Sequence, residues 1–426
     1  MRILYFSPRK CWPVNAGARL RDYQLARQLA RRASVSYFGL FDPAETAPEP
    51  ENDGLIPPEA IFERSLVLPK APAYGVWNLV RGLAGPTPVT VLNYTSRSAS
   101  AALADLGREM TFDAVQMEGV HLARYIPVLR AFPGRPPVLC DWHDIFSESM
   151  TRYSETVASF PRRLYARRTA RLLEGMETEL LRLCDAHLVV SDRNKRRLLE
   201  NLPSASLHII ENGVDTAYHS EEQIEDAYAR WLLREKGTGE YGRRNRVVFV
   251  GAMDYNTNID AVAHFAADIW PRVRERVPEL SFTIVGRNPA PEVIALGGQP
   301  GIEVSGTVAD VRPYYREASV VIVPLRLGSG TRLKILEAMA AGVPVVSTTL
   351  GAEGLEARPG EEILIADTPA DTVEAIVRLR RSPELRQALQ EQGRKLAVSR
   401  YEWRVIGERL YSIYENVVDR VPRLRT

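Results

Sequence analysis

The stretch RLGSGTRLKILEAMAAGVPVVSTTLGAEGL, residues 326–355, decides the fold, because a glycine-rich segment separates two apolar runs in it. The preceding run ASVVIVPL is short and β-branched, which predicts a buried strand. Strong helix formers follow from Leu333 to Ala341 and end at Gly342, a residue typical of helix C-termini. VPVVST then predicts another buried strand. The order strand, helix, strand predicts a parallel βαβ unit whose glycine-rich loop precedes the helix.

The same alternation of strand and helix runs through both halves of the chain. In the first half the predicted strands are RILYFS, SVSYFGLF, FDAVQME, PPVLCDWHD, AHLVVSD and LHIIENGVD. In the second half they are RVVFVGAMDY, SFTIVGRNP, GIEVSGTV, SVVIVPL, VPVVSTT and EILIAD. This pattern predicts an α/β protein of two doubly wound, Rossmann-like domains with parallel sheets. We expect the two domains to face each other across a cleft, with ligands at the carboxyl ends of the strands.

The domain boundaries follow from composition. We expect a first domain over residues 1–215, a polar linker region over 216–244 and a second domain over 245–399. The last predicted helix, about 400–420, is expected to pack back on the first domain. Residues 41–58 are rich in proline and acidic residues and predict a surface excursion.

The overall composition indicates a soluble globular protein. Of its 426 residues, 45% are hydrophobic and 25% are charged, and the net charge of +2 gives no general affinity for polyanions such as nucleic acid. Three cysteines without metal-ligand spacing favour a reducing compartment. The sequence contains no apolar stretch of 18 residues, and the first apolar run is too short for a signal peptide. We therefore expect a cytoplasmic protein, either free or peripheral at the inner face of the membrane.

The glycine-rich loop has the chemistry of a phosphate site. Its small residues allow backbone N–H groups to approach an anion at a helix N-terminus: Gly328, Ser329, Gly330 and Thr331. Arg332 and Lys334 project to different sides of the first helical turn, where one or both can reach a diphosphate. Glu337, one turn later, suits the paired hydroxyls of a ribose. The alternative interpretation is a solvated turn before an ordinary charged helix.

Several segments resemble the family 4 retaining glycosyltransferases, which have the GT-B fold. LEAMAAGVPVV matches the family's donor motif, and SGTVADVRPYYREASVVIVP and VVSDRNKRRLLENLPSASLHIIENGVD are similar to two further segments. GSGTRLKILEAMA resembles a variant in sugar transferases of exopolysaccharide gene clusters. The resemblance implies that Glu337 holds the ribose and that Thr307 and Val308 border the base of a UDP- or GDP-linked sugar. It also implies transfer with retention of anomeric configuration.

The sequence departs from this family at two positions. Ser329 stands where the family has the first glutamate of a Glu-x7-Glu motif. Gly251 follows the first strand of the second domain, but the segment FVGAMDYNTNID lacks the usual arginine and lysine. We expect Arg332, Lys334 and Arg287 to supply the missing charge to the diphosphate. Replacing Arg332 with Ala should then weaken nucleoside diphosphate binding by more than about 1.5 kcal/mol.

VNAGARLRD, residues 14–22, is the corresponding loop of the first domain. In the resembling family this loop approaches the reaction centre and the donor phosphate. We therefore expect Gly17 at the donor phosphate and Asn15 and Arg19 on the acceptor side. The alternative is an ordinary strand-to-helix turn in which Gly17 has no role other than to form the turn.

CDWHDIF places His143 and Asp144 at the carboxyl end of a predicted strand. The family has a histidine at the matching place, close to the donor sugar, so both residues are catalytic candidates. We expect His143 to bond sugar hydroxyls and organise charge as much as to transfer a proton. His121 is a weaker rival, and Glu118 is expected to contact the acceptor. The alternative is that His143 is structural.

The basic segment over residues 160–183 predicts one long helix. Its first half carries Arg162, Arg163, Arg167, Arg168 and Arg171. The flanking aromatic residues and this charge suit an anionic membrane and a lipid-linked acceptor. A solvated charged face is the alternative.

Other classes of site lack their motifs. The sequence contains no Asp-x-Asp pair, zinc spacing, Walker A pattern or G-x-G-x-x-G after the first strand, so we expect neither a metal nor a cofactor. The favoured function is a glycosyltransferase acting on a glycan or lipid-linked glycan, in exopolysaccharide or cell-surface polysaccharide biosynthesis. Two alternatives are a nucleotide-sugar epimerase of the same fold and a non-catalytic nucleotide- or sugar-binding module.

Overall fold

The computed structural model describes residues 1–14, 17–42, 56–70, 78, 81–82, 84–157, 159–234, 245–327 and 333–420. The chain divides into two compact units. The first unit is Met1–Glu211 together with Ile406–Thr426, and the second is Asn212–Val405. Most of the predicted excursion over residues 41–58 lies outside the described residues.

The first unit contains a parallel sheet with the strand order β3-β2-β1-β4-β5-β6-β7 among its described residues. Its strands are β1 (Arg2–Ser7), β2 (Ser34–Phe41), β3 (Arg64–Pro69), β4 (Ala114–Glu118), β5 (Val138–Trp142), β6 (Ala186–Val189) and β7 (Leu207–Ile209). Its helices before Glu211 are α1 (Gly17–Ala30), α2 (Val89–Leu92), α3 (Arg97–Glu109), α4 (Ile126–Arg130), α5 (Phe146–Thr156), α6 (Phe160–Leu183) and α7 (Asp192–Asn201). The parallel, doubly wound architecture predicted from the sequence is confirmed.

The register of the central strands brings three strand ends together. Phe6 of β1 pairs with Met117 of β4, and Glu118 of β4 pairs with Asp141 of β5. Because all three strands are parallel, their carboxyl ends lie at one edge of the sheet. Polar residues at these ends therefore meet, although they are far apart in the sequence.

The second unit repeats the arrangement, with the strand order β10-β9-β8-β11-β12-β13 among its described residues. Its strands are β8 (Arg246–Val250), β9 (Ser281–Val285), β10 (Ile302–Gly306), β11 (Ala318–Val323), β12 (Val345–Ser347) and β13 (Leu364–Ile365). Its helices are α8 (Glu221–Arg234), α9 (Asn256–His264), α10 (Trp270–Arg276), α11 (Pro291–Leu296), α12 (Arg312–Glu317), α13 (Leu333–Ala340), α14 (Pro369–Arg381) and α15 (Pro383–Leu396). Gly342 has φ +66°, a conformation that favours glycine and ends the helical segment as predicted.

Three features differ from, or extend, the sequence-based expectations. Strand β3 was not predicted, because it lies at the edge of the sheet and none of its residues is buried. The expected linker over residues 216–244 contains helix α8, whose Tyr228 hydroxyl donates to Glu317 Oε1 at 3.0 Å. The last helix, α16 (Trp403–Arg420), belongs to the first unit from Ile406 onwards.

Each of the described helices is too short or too polar to cross a membrane.

Candidate active site

A cluster of buried polar side chains lies at the carboxyl edge of the first unit's sheet. Ser7 ends β1, Glu118 ends β4, and Asp22 comes from α1. Ser7 Oγ is 2.8 Å from Asp22 Oδ2 and 3.0 Å from Glu118 Oε2. The hydroxyl therefore joins two carboxyl groups that are almost completely shielded from water.

His143 follows β5 and points into this cluster. Its Nδ1 is 3.2 Å from Glu118 Oε1, and its Nε2 is 3.3 Å from Asp141 Oδ2 and 3.4 Å from Asp22 Oδ1. Both ring nitrogens lie within ion-pair distance of carboxyl oxygens, which suits the imidazolium form, although Nε2 makes no hydrogen bond with a described residue. Burial lowers the pKa of His143, but the charges of Glu118 and Asp141 outweigh it and raise the pKa above its ordinary value.

Arg9 supplies a second positive charge to the cluster. Its Nη1 lies 3.1 Å from Asp22 Oδ2 and forms an ion pair with Glu118 Oε2. Burial and the Glu118 charge raise the pKa of Asp22 to about 7. Burial also acts to raise the pKa of Glu118, but Arg9 and His143 outweigh it and hold that pKa below its ordinary value. Of the two carboxyl groups, Asp22 is therefore the weaker acid.

The same side chains have the spacing of a metal site. One ligand atom each from Asp22, Glu118 and His143 lies within 4.8 Å of the others. However, Arg9 already occupies the space beside both carboxyl groups, and His143 faces them with both nitrogens. This arrangement fits a hydrogen-bonded charge network better than a metal site.

A buried ion pair between Arg21 and Asp141 lies beside the His143 ring. Arg21 Nη2 is 2.8 Å from Asp141 Oδ1, and Arg21 Nε donates to Asp141 Oδ2 at 3.2 Å. Gln116 Nε2 donates to the same Oδ2 at 3.2 Å. Burial acts to raise the pKa of Asp141, but Arg21 and His143 outweigh it and hold the pKa well below its ordinary value. Asp141 is therefore a fixed carboxylate that orients the histidine ring.

Other predicted residues of the first unit lie around this cluster. Asp144 lies at the start of α5, where its carboxylate accepts hydrogen bonds from Ile145 N at 2.9 Å and Ser149 Oγ at 2.7 Å. Gly17 is the first residue of α1, and Arg19 is buried in the same helix. Asn15 lies outside the described residues.

His121, the weaker rival of His143, lies between aromatic rings. The His121 ring centroid is 4.4 Å from that of Phe146 and 4.9 Å from that of Tyr94. Burial lowers the pKa of His121 to about 4. The neutral ring therefore predominates at pH 7, which suits packing better than charge stabilisation.

In the second unit, Gly251 and Lys334 come together at the carboxyl edge of the sheet. Lys334 Nζ donates to Asn258 Oδ1 at 2.9 Å and lies 3.9 Å from the centroid of the Phe249 ring. A Cβ atom on Gly251 would lie 2.9 Å from Lys334 Nζ and 2.8 Å from Asn258 Nδ2. Glycine at this position therefore lets the lysine and the amide approach the backbone, and a side chain here would displace one of them.

Glu337 lies one turn after Lys334 on α13. Its Oε2 accepts a hydrogen bond from the Tyr315 hydroxyl at 3.1 Å. Burial raises the pKa of Glu337, and the Tyr315 hydrogen bond and Lys334 counteract only part of that rise. The carboxyl group is thus held in one orientation in a partly shielded position, as recognition of vicinal hydroxyls requires.

The remaining predicted residues of the second unit follow neighbouring strands. Arg287 follows β9, and its backbone carbonyl accepts a hydrogen bond from Met253 N at 2.9 Å. The Arg287 guanidinium forms no ion pair with a described residue. Thr307 is exposed after β10, whereas Val308 packs partly on the unit's core. The predicted phosphate loop, Gly328 to Arg332, lies outside the described residues.

Several site residues were not predicted from the sequence: Ser7, Arg9, Asp22, Asp141, Asn258 and Tyr315. Ser7 and Asp141 could have been found from one pattern, which Glu118 also shows: a polar residue at or near the end of an apolar strand. Asp22 lies inside a helix, where a single acidic residue is normally interpreted as solvated. Only the fold places it beside Glu118.

Comparison with known protein families shows the family to which the chain belongs. The profile described as Glycosyltransferase Family 4 matches residues 17–218, and that described as Glycosyl transferases group 1 matches residues 244–382. The two matches together span most of the chain, one in each unit. The chain belongs to the family 4 glycosyltransferases, and the predicted GT-B architecture of two Rossmann-like parallel-sheet units is confirmed.

A relative and two solved structures illustrate the extent of similarity. A phosphatidyl-myo-inositol mannosyltransferase of Mycobacterium tuberculosis is 29% identical over 243 residues, which cover 54% of this chain and 59% of the relative. Sucrose-phosphate synthase of Thermosynechococcus elongatus has a TM-score of 0.68, 17% identity and coverage of 99% and 100% of the two chains. The Anabaena protein Alr3699/HepE in complex with UDP has a TM-score of 0.63, 15% identity and coverage of 98% and 100%. The two structural matches show the fold.

Proposed function

We propose that the protein is a glycosyltransferase that moves a sugar from a nucleoside diphosphate sugar to a hydroxyl group of a glycan or lipid-linked glycan. The observation that carries this proposal is the meeting of Gly251, Asn258 and Lys334 beside the carboxyl ends of the second unit's strands, with Glu337 one turn further. A cation and a carboxylate at this spacing suit a diphosphate and a ribose. The mannosyltransferase relative supports sugar transfer, and the UDP-bound neighbour supports a nucleoside diphosphate donor, which we expect to be UDP- or GDP-linked.

The chemistry of the donor side follows from charge. Negative charge develops on the diphosphate as the bond to the sugar breaks. The Lys334 ammonium and, by expectation, Arg332 and the loop N–H groups stabilise that charge. Because the chain itself supplies these cations, we propose that the reaction proceeds without a metal. Retention of configuration is proposed from membership of the family.

His143 has a different role in this proposal. Its ring nitrogens face Glu118, Asp141 and Asp22, so the ring is poorly placed to accept a proton from an acceptor hydroxyl. We propose that the imidazolium stabilises the negative charge that develops during sugar transfer. Asp144, whose two oxygens already accept hydrogen bonds at the start of α5, is the weaker catalytic candidate.

The experiment measures release of nucleoside diphosphate from a panel of UDP- and GDP-sugars, with and without lipid-linked glycan acceptors. We expect acceptor-dependent release that is unchanged by EDTA and a product whose NMR spectrum shows the donor's anomeric configuration. Conversion of the donor sugar without nucleotide release would indicate the epimerase alternative. Nucleotide binding without any turnover would indicate a binding module.

The acceptor side of the proposal includes a peripheral membrane contact through α6. Arg168 donates to the carbonyls of Gly82 and Gly85 at 2.9 and 2.7 Å, so this arginine is committed to the fold. The exposed arginines of the first half of α6 are Arg162, Arg167 and Arg171, and they form no ion pair with described residues. Phe160 and Leu164, which are 72% and 62% exposed, share one helix face with Arg167 and Arg171. Exposed apolar groups beside unpaired cations suit an anionic lipid surface.

Vesicle flotation tests this contact. We expect the protein to float with phosphatidylglycerol vesicles at low salt, and to lose binding when Arg167 and Arg171 are both changed to Glu. The matched control changes Arg272 and Arg404, two exposed arginines of the second unit, to Glu. Equal loss in both variants, or no flotation of the wild type at low salt, would contradict a specific contact through α6.

A further inference from the structure

A chain of four side chains in the first unit connects helix α16 with His143. The Tyr414 hydroxyl donates to Gln116 Oε1 at 2.6 Å, and Gln116 Nε2 donates to Asp141 Oδ2 at 3.2 Å. Asp141 Oδ2 lies 3.3 Å from His143 Nε2. Tyr414, Gln116 and Asp141 are fully buried, and the side chain of His143 is 12% exposed. Each contact is therefore shielded from competing water.

The order of donors and acceptors in this chain is fixed. A tyrosine hydroxyl has one proton to give, and the carbonyl oxygen of Gln116 receives it. The Gln116 amide nitrogen is then directed towards Asp141. If the amide were turned over, its oxygen would face the Asp141 carboxylate, and two acceptors without a proton between them repel each other. The Asp141 carboxylate thus selects the amide orientation, and the Tyr414 hydroxyl supplies the proton that the inward-facing Gln116 oxygen then needs.

We infer that Tyr414 is a positioning residue for His143 and acts through Gln116 and Asp141. The inference rests on the proposed transferase function, because it assigns Tyr414 a part in orienting a group that acts on the sugar. It also gives the C-terminal helix α16 a role in the chemistry of the first unit. This role is separate from the packing of α16, which the aromatic ring of Tyr414 supplies without its hydroxyl.

Loss of the hydroxyl has a defined structural consequence. Gln116 Oε1 would remain buried without a donor, a situation that is costly and that a shift of the side chain relieves. A shifted amide weakens its hydrogen bond to Asp141 Oδ2 and leaves Arg21 as the main donor to that carboxylate. The carboxylate then moves towards Arg21, and the contact with His143 Nε2 lengthens. Orienting partners of this kind typically change activity by about 10- to 100-fold.

The test uses the full-length chain with Tyr414→Phe, which keeps the ring and removes the hydroxyl. We expect kcat to fall by about tenfold while KM for the sugar nucleotide stays within about twofold. The NMR titration of the His143 ring, assigned with a His143→Gln variant, should move to lower pH because the contact with Asp141 weakens. Tyr125→Phe is the matched control, since Tyr125 is also buried and its hydroxyl donates to Tyr94 O at 2.7 Å.

Two further results complete the test. Gln116→Met interrupts the same chain and should move the His143 titration in the same direction, so it replaces Tyr414→Phe if that variant does not fold. If both variants fold, the double variant should differ little from either single one, because both break one pathway. An unchanged His143 titration in Tyr414→Phe and Gln116→Met, or an equal change in Tyr125→Phe, would overturn the inference. The NMR measurement needs no turnover, so it separates failure of this inference from failure of the proposed function.

Discussion

Lys334 Nζ donates a hydrogen bond of 2.9 Å to Asn258 Oδ1, which joins the start of α13 to α9. The bond directs the ammonium group over the Phe249 ring and past Gly251, where a side chain would collide with it. Three parts of the second unit, all near the carboxyl edge of its sheet, therefore fix one positive charge. That edge is where ligands bind in doubly wound sheets, so we interpret this arrangement as the diphosphate end of the donor site.

Removal of the Lys334 charge tests this interpretation. Lys334→Met keeps an apolar chain over the Phe249 ring and removes the ammonium. We expect calorimetric titration with UDP and GDP to show binding weakened by at least about tenfold, the lower range for a charged hydrogen bond. Lys395→Met, an exposed lysine of α15, is the control and should bind as the wild type does. Equal affinities in all three proteins would exclude Lys334 from the site.

Gly251 offers a second test that leaves every charge in place. Gly251→Ala brings a methyl group to 2.9 Å from Lys334 Nζ and 2.8 Å from Asn258 Nδ2, so one of these groups must move. We expect weaker nucleoside diphosphate binding with little change in melting temperature. Gly175→Ala on α6 is the control, because a Cβ atom there meets nothing within 4 Å. That control should bind normally and be more stable by about 0.5 to 1 kcal/mol. Normal binding by Gly251→Ala would count against the close approach.

The sequence-based expectation placed Gly251 and Lys334 at the donor diphosphate, Glu118 on the acceptor side and His143 among the catalytic candidates for one physical reason. Each residue lies at or just after the end of a parallel strand or the start of the helix that follows, and such ends collect at one edge of a sheet. Local patterns identify strand ends, so they also identify these residues. The same reasoning located every strand of the described sheets except β3, which is not buried and therefore lacks an apolar signal.

Asp22, Arg9 and Asn258 could not be predicted in this way. Their side chains face the sites from a helix interior or from a loop, where a charged or amide residue is usually solvated. Whether Asp22 meets water or Glu118 depends on the rotation of α1 and on the strand order that places β1 beside β4. Both are tertiary properties. Asp144, in contrast, was predicted as a catalytic residue because it follows a strand. That position alone does not distinguish a catalytic carboxylate from one that lies at a helix start.

The Arg21–Asp141 pair leads to a prediction about stability. Asp141→Asn removes the carboxylate charge that pairs with the buried Arg21 guanidinium. We expect the free energy of unfolding, measured with urea, to fall by about 3 kcal/mol or more, because removal of one member of a buried ion pair is costly. Asp105→Asn removes the acidic member of an exposed pair with Arg108 and should have little effect. Similar small changes in both variants would show that Arg21 finds another partner or reaches water.

Glu177 gives the folded protein a measurable dependence on pH. It is buried and accepts a hydrogen bond from Ser147 N at 3.1 Å, and burial raises its pKa from 4.5 to about 7. Between these values the folded chain holds a proton that the unfolded chain has lost. The free energy of unfolding should therefore fall as pH rises from about 4.5 to about 7, by up to about 3 kcal/mol.

Glu177→Gln should remove this fall, because the amide remains neutral at every pH. The difference in unfolding free energy between variant and wild type should thus increase in favour of the variant across the same window. Glu179→Gln, on the exposed face of the same helix, controls for the loss of one carboxyl group from α6. A flat difference for Glu177→Gln would mean that Glu177 ionises normally in the folded protein.

The most direct test of the donor site compares ribose recognition by wild type and Glu337→Gln. Calorimetric titration is carried out with UDP, GDP, ADP and NAD, and then with the 2′,3′-dideoxy form of whichever diphosphate binds. We predict that one nucleoside diphosphate binds the wild type, that loss of its ribose hydroxyls weakens binding by about tenfold or more, and that Glu337→Gln no longer distinguishes the two forms. Binding of NAD alone, of none of the four, or equal discrimination by Glu337→Gln would contradict the assignment of this site to a sugar nucleotide.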